Sequence, residues 1–179
     1  LVFKPQVLAL FGACFLMALA HGPYYTFFSI YLVEHGYAKS AVGVLWTLGL
    51  VCEIAVFFWM PWLMRRYSLA QILMVSLALA VLRFLLIGWQ VDTLLLLLFA
   101  QVLHAATFGS FHAAAVAMVH HFFRGRHQSR GQALFGSVTY GAGGMLGGLL
   151  SGPLWLHLGA SAMYTFSAFA ALLGLALMV

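Results

Sequence analysis

The sequence predicts an all-α membrane protein of six transmembrane helices, arranged as a 3+3 inverted repeat. Three observations predict it. Of 179 residues, 65% are hydrophobic and 6% charged, with a mean hydropathy of +1.06, whereas a soluble domain carries roughly 25% charged residues. Apolar stretches of about 20 residues, enough to cross a bilayer core, recur six times between short polar breaks. The basic residues gather at alternate breaks. This composition excludes a soluble domain, a disordered chain, a disulfide scaffold and a nucleic-acid module. Cys14 and Cys52 lie inside apolar stretches and read as buried thiols. The 16% aromatics and 18 glycines suit helices packed in lipid. The chain opens on Leu1-Val2-Phe3, and its first apolar run is too long for a signal peptide and has no small-residue cleavage site. An internal piece of a longer protein is therefore expected.

The first span is expected at Val7–Leu32, closed by the polar break 34–40, and the second at Ala41–Met64, closed by Arg65-Arg66. The third is expected at Leu69–Gly88, ending near Asp92. The fourth, Thr93–Phe123, is long enough to tilt or protrude. The basic loop 124–130 follows, then a fifth span at Gln132–Ser151 with the turn Gly152-Pro153 near its end, and a sixth from Ser161 to 179. On this topology Lys4, Arg65, Arg66, Arg124, Arg126 and Arg130 share one side, and Lys39 stands on the other with Glu34 and Asp92. That asymmetry predicts cytoplasmic ends for this segment. The first and fourth spans each carry a His followed by a polar-aromatic run, His21 to Phe28 and His104 to His112. With three helices per unit, the second copy enters the membrane in the opposite sense, the inverted-repeat arrangement of transporters.

Three ionisable groups fall inside spans: Glu53 in the second, Arg83 in the third and His104 in the fourth. A charge at the bilayer centre costs on the order of 2.5–3.5 kcal/mol on insertion scales, so such groups are expected to pair, face the bundle interior or line water. At a rise of about 1.5 Å per residue, their depths are roughly 16 Å, 21 Å and 14 Å from the cytoplasmic side. They converge near the midplane, and Glu53 is expected to pair with Arg83. Helical spacing gathers Gln101, His104, Thr107, Phe108, Phe111 and His112 on one face, Trp46, Gly49 and Glu53 on another, and His21, Tyr24, Tyr25 and Phe28 on a third. These are the candidate cavity walls. Gly22-Pro23 marks a weak point in the first helix, either a hinge or a static kink. Gly143/Gly147, Gly144/Gly148 and Gly148/Gly152 are small-xxx-small pairs suited to close helix packing. A haem held between His21 and His104 is an alternative of another class. No metal site, cofactor or nucleic-acid partner is expected, and the motifs are not those of an enzyme.

The order of a mid-span Glu before Arg-Arg, a late Arg in the third span, an early His in the fourth and a basic loop resembles the C-terminal six-helix half of the major facilitator superfamily, near the lactose-permease-type proton symporters. The string Gly22-Pro23-Tyr24-Tyr25-Thr26-Phe27-Phe28-Ser29-Ile30-Tyr31-Leu32, with Glu53 and His104-Ala105-Ala106-Thr107-Phe108-Gly109, looks more specifically like the 3-phenylpropionic acid transporter group. The resemblance covers nearly the whole chain. It implies half of a twelve-helix secondary transporter of the bacterial inner membrane, packed on an N-terminal half and taking up a small molecule with protons. It assigns Glu53 and His104 to the substrate site and Arg83 to the proton-coupling network. Two departures stand out. The sugar symporters place a titrating Glu where this chain has Thr107, and their cationic residue on the fifth span is absent; Ser137, Thr139 and Tyr140 are the larger polar groups there. The departures speak against a sugar and are compatible with an aromatic acid; a sugar or a nucleoside remains the alternative.

Overall fold

The computed structural model describes residues 4–179. α1 (Pro5–Glu34) begins with proline in its first turn, where the missing N–H has no helical partner to lose. Gly36, at φ 81°, turns the chain into α2 (Lys39–Arg66). α3 (Leu69–Trp89) opens with a capping box: the Gln71 backbone N–H donates to Ser68 Oγ at 3.2 Å, and the Ser68 N–H donates to Gln71 Oε1 at 2.9 Å. α4 (Leu94–His104), a π-helical turn (Ala105–Ser110) and α5 (Phe111–Phe122) form one rod. After a short 3-10 turn (Gly125–His127) come α6 (Gln128–Gly136), a second π-helical stretch (Ser137–Gly144) and α7 (Met145–Met178).

Among the described residues, five continuous helical runs are long and apolar enough to cross a membrane, of 30, 28, 21, 29 and 54 residues. The last would extend about 80 Å at 1.5 Å per residue, against a hydrocarbon core of about 30 Å. It is not one rod. Gly159 sits at φ 82° and ψ 170°, a conformation favouring glycine, and breaks α7 in two. Packing fixes the sense of each arm. Before the break, Gly143, Gly147 and Trp155 lie in turn against Phe15, Leu19 and Phe27, advancing along α1. After it, Tyr164 meets Tyr31 and Gly174 meets Ala13, so the chain runs back. The separate fifth and sixth helices thus join into one helical run, and the turn sits at Gly159 rather than Gly152-Pro153. Pro153 lies within regular helix instead.

α1 is the core element, whereas only 17% of the most apolar window of α2 is buried. α1 packs on both arms of α7, α3 on the returning arm, and α2 on α4 and the first π-helical turn. The two ends are distinct. Pro5, Ser68, Phe122 and Met178 border one groove. At the other end Tyr37 Oη donates to the Val91 carbonyl at 2.7 Å, and Ser161 Oγ donates to the Gly88 carbonyl at 2.7 Å. The α4–α5 rod therefore enters from the end opposite to α1. Pro23 neither breaks nor ends α1. The Leu19 carbonyl, which Pro23 deprives of its helical donor, lies against Gly147, where any side chain would collide with it.

Candidate functional site

Four side chains from four helices form a polar line across the bundle: Arg83 of α3, His21 of α1, His104 of α4 and Glu53 of α2. Arg83 is fully buried. Its Nε donates to the Ala100 carbonyl at 3.0 Å, and its Nη1 lies 3.4 Å from His21 Nε2. The guanidinium carbon stands 4.1 Å from the centroid of the Tyr24 ring and 5.3 Å from that of Phe84, so two aromatic faces share the charge. His21 Nδ1 is 2.9 Å from the Met17 carbonyl. A carbonyl only accepts, so Nδ1 carries the hydrogen and Nε2 turns its lone pair to Arg83. The His21 and His104 rings are 6.1 Å apart. His104 Nε2 stands 3.7 Å from Glu53 Oε2, the one ion-pair contact among the described residues.

The expected pairing of Glu53 with Arg83 is therefore corrected. The partner of Glu53 is His104, and Arg83 is compensated by π-faces, a carbonyl and a neutral-type imidazole nitrogen. The reason is steric. Tyr24, whose Oη donates to Gln101 Oε1 at 2.8 Å, lies over the guanidinium and is held there. The haem alternative also loses its ligand, because both nitrogens of His21 are engaged. Gly49 and Gly109 bring α2 close to the α4 rod: an added Cβ would meet the His104 ring at 3.4 Å from Gly49, and Glu53 Cγ at 3.0 Å from Gly109.

Two cavities flank this line. One, of about 320 Å³, is lined by Tyr25, Trp46, Thr47, Leu50, Glu53 and His104. The other, of about 150 Å³, lies between α1 and the two π-helical stretches, where His21, Phe108, Phe111, His112, Thr139 and Tyr140 are among its walls. Tyr25 borders both. Tyr24, Gln101, Thr107 and Arg83 line neither: Tyr24, Gln101 and Arg83 form the packed layer beneath, and buried Thr107 turns its Oγ1 toward the His104 carbonyl at 3.4 Å. The face drawn through Gln101, His104, Thr107, Phe108, Phe111 and His112 divides: His104, Phe108 and His112 stack with ring centroids 5.5 and 6.2 Å apart and with Phe111 border the cavities, whereas Gln101 and Thr107 turn into the packed interior. The π-helical turn 105–110 widens the rod where Phe108 stacks between His104 and His112.

Tyr140 and Thr139 were visible in the sequence only as polar residues in a glycine-rich span. Here Tyr140 Oη and His112 Nδ1 are 2.6 Å apart, joining α5 to the second π-helical stretch beside the cavity they both line. Thr139 Oγ1 is buried with no partner among the described residues.

The profile of the MFS_1 like family matches residues 1–168. The chain belongs to that family, within the major facilitator superfamily. It is 35% identical over 150 residues to a probable 3-phenylpropionic acid transporter of Escherichia coli, covering 83% of this chain and 39% of that protein. It is 24% identical over 152 residues to the nucleoside permease NupG of Escherichia coli and to that of Shigella flexneri, covering 83% of this chain and 34% of each permease. The chain thus spans between one third and two fifths of the curated relatives it matches. No solved structure matches it.

Proposed function

We propose that this major facilitator chain is the C-terminal half of a secondary transporter of the bacterial inner membrane, packed on an N-terminal half, with both ends of the segment cytoplasmic. The assembled protein takes up a small aromatic carboxylic acid with protons by alternating access, and makes or breaks no bond in it. The observation that carries this reading is the contact of Glu53 with His104 at 3.7 Å on the floor of an aromatic-walled cavity. An acid and an imidazole at membrane depth are costly, and here both side chains line the same cavity. The 35%-identical relative, named for 3-phenylpropionic acid, supports the substrate class. Tyr25, Trp46 and Phe108 suit an aromatic ring, and the His104 imidazole N–H can donate to a carboxylate.

In this mechanism Glu53 takes the proton from the open side. Protonating Glu53 frees His104 from its anionic neighbour and leaves a carboxylate site without a competing charge. Arg83, sealed behind Tyr24 and His21, supplies fixed positive charge and touches no substrate. The test is uptake of labelled 3-phenylpropionate into vesicles holding the full-length transporter under an imposed proton gradient. Glu53→Gln is expected to abolish accumulation above equilibrium and to retain exchange of internal for external substrate. Accumulation at the wild-type level would overturn the role of Glu53. The nucleoside permeases among the relatives favour one second reading, a nucleoside substrate. Uridine competing for uptake while 3-phenylpropionate does not would establish it.

A further inference from the structure

We infer that the 150 Å³ cavity between α1 and the two π-helical stretches is a ring subsite, in which Thr139 selects a hydroxylated ring. This deepens the proposed aromatic-acid reading and rests on it. The cavity has the size of an apolar site known to accommodate benzene. Its flat walls are the rings of His21, Phe108 and Phe111, a lining suited to the face and edge contacts aromatic rings prefer. Tyr25 borders it and also borders the cavity of Glu53 and His104. A molecule with its ring on one side of Tyr25 and its carboxylate on the other therefore occupies both.

The polar atoms at the far wall carry the specificity. Thr139 is 3% exposed, lines the cavity, and its hydroxyl has no partner among the described residues. A threonine in regular helix commonly bonds the carbonyl one turn back; within the π-helical stretch 137–144 this one does not. A buried hydroxyl left alone is costly, and a ring hydroxyl satisfies it as either donor or acceptor. Tyr140 Oη, paired with His112, lines the same cavity.

Two substitutions test this in the full-length transporter reconstituted in vesicles, with 3-phenylpropionate and 3-(3-hydroxyphenyl)propionate as probes. The readout is the ratio of their KM values. Wild type is expected to favour the hydroxylated acid. Thr139→Val, nearly isosteric but without the hydroxyl, is expected to lower that preference about fivefold, the worth of one hydrogen bond, and Thr139→Ser to retain it. Gly144 lines the same cavity, and a Cβ there meets no atom within 4 Å. Gly144→Leu places its Cβ in open space and is expected to weaken both acids at least tenfold, with no loss of melting temperature. An unaltered ratio in Thr139→Val, as when a water alone serves that hydroxyl, overturns the inference while leaving the aromatic-acid reading intact. Wild type taking up neither acid overturns both.

Discussion

At the scale of single residues, the buried layer beneath the cavities is the sharpest energetic feature. Gln101 is fully buried, its Oε1 accepts from Tyr24, and its Nε2 has no partner among the described residues. Tyr24→Phe removes the one bond this amide has. In a water-soluble core a stranded buried group costs about 1–3 kcal/mol. In a membrane the reference state finds other partners, and measured interhelical bonds average about 0.6 kcal/mol, reaching about 1.7 kcal/mol. The membrane figure applies here. Tyr24→Phe is expected to destabilise by about 1 kcal/mol, and Tyr24→Phe with Gln101→Leu to recover most of it, because the pair then leaves no orphan. Unfolding of the purified transporter in detergent, read as a double-mutant cycle, checks this; strict additivity of the two changes would show the pair is not coupled. The same layer shows what the residues alone could reveal of the site. That Glu53, Arg83 and His104 lie at similar depth follows from counting along helices. Their pairing does not, because it depends on which side chain Tyr24 covers, a matter of helix rotation and tertiary packing. Thr139 shows in the sequence as a polar residue and no more, for a like reason: a hydroxyl in a helix looks satisfied until the local bonding pattern is known.

At the scale of elements, hydropathy marked the spans well because the bilayer imposes one length on every crossing. α1, α2 and α3 end within a few residues of their expected limits, at Glu34, Arg66 and Trp89. The failures share a cause: local hydrogen bonding that hydropathy does not encode. π-Helical bonding replaces α-helical bonding at 105–110 and 137–144, and helix continues through Pro153 to Gly159. Glycine content likewise shows that close packing is needed but not which glycines supply it. Gly147 is pressed on the Leu19 backbone, and a side chain there overlaps the carbonyl freed by Pro23. Gly152, one small-xxx-small step beyond Gly148, faces open space. Gly147→Ala is therefore expected to lower the melting temperature by forcing α7 off α1. Gly152→Ala is expected to hold or raise it, since alanine stabilises a helix interior by about 0.5–1 kcal/mol relative to glycine. Equal effects of the two substitutions would show that the α1–α7 contact is not what the glycine stripe serves.

At the scale of the whole molecule, charge and chain reversal agree. The structure gathers Lys4, the Arg65-Arg66 pair and the 124–130 loop at the end where α1 begins and α2 and α5 finish. Glu34, Lys39 and Asp92 stand at the other end, where Tyr37 ties down the Val91 carbonyl. Six cations against one is a bias large enough to orient a multi-pass protein, because translocating short basic loops is disfavoured. The fold alone has no preference between the two orientations; the loops decide. Impermeant maleimide labelling of intact cells tests the assignment, in a full-length background with Cys14 and Cys52 replaced by serine. Cysteine placed at Asp92, an exposed position, is expected to label from outside. Cysteine at Ser129, exposed in the basic loop, is expected to label only after permeabilisation. The reverse pattern would put the basic loop outside and would place the Gly159 reversal in the cytoplasm. The bundle geometry would survive that result, since every helix contact is indifferent to which side is which, but the cytoplasmic placement of both chain ends would not.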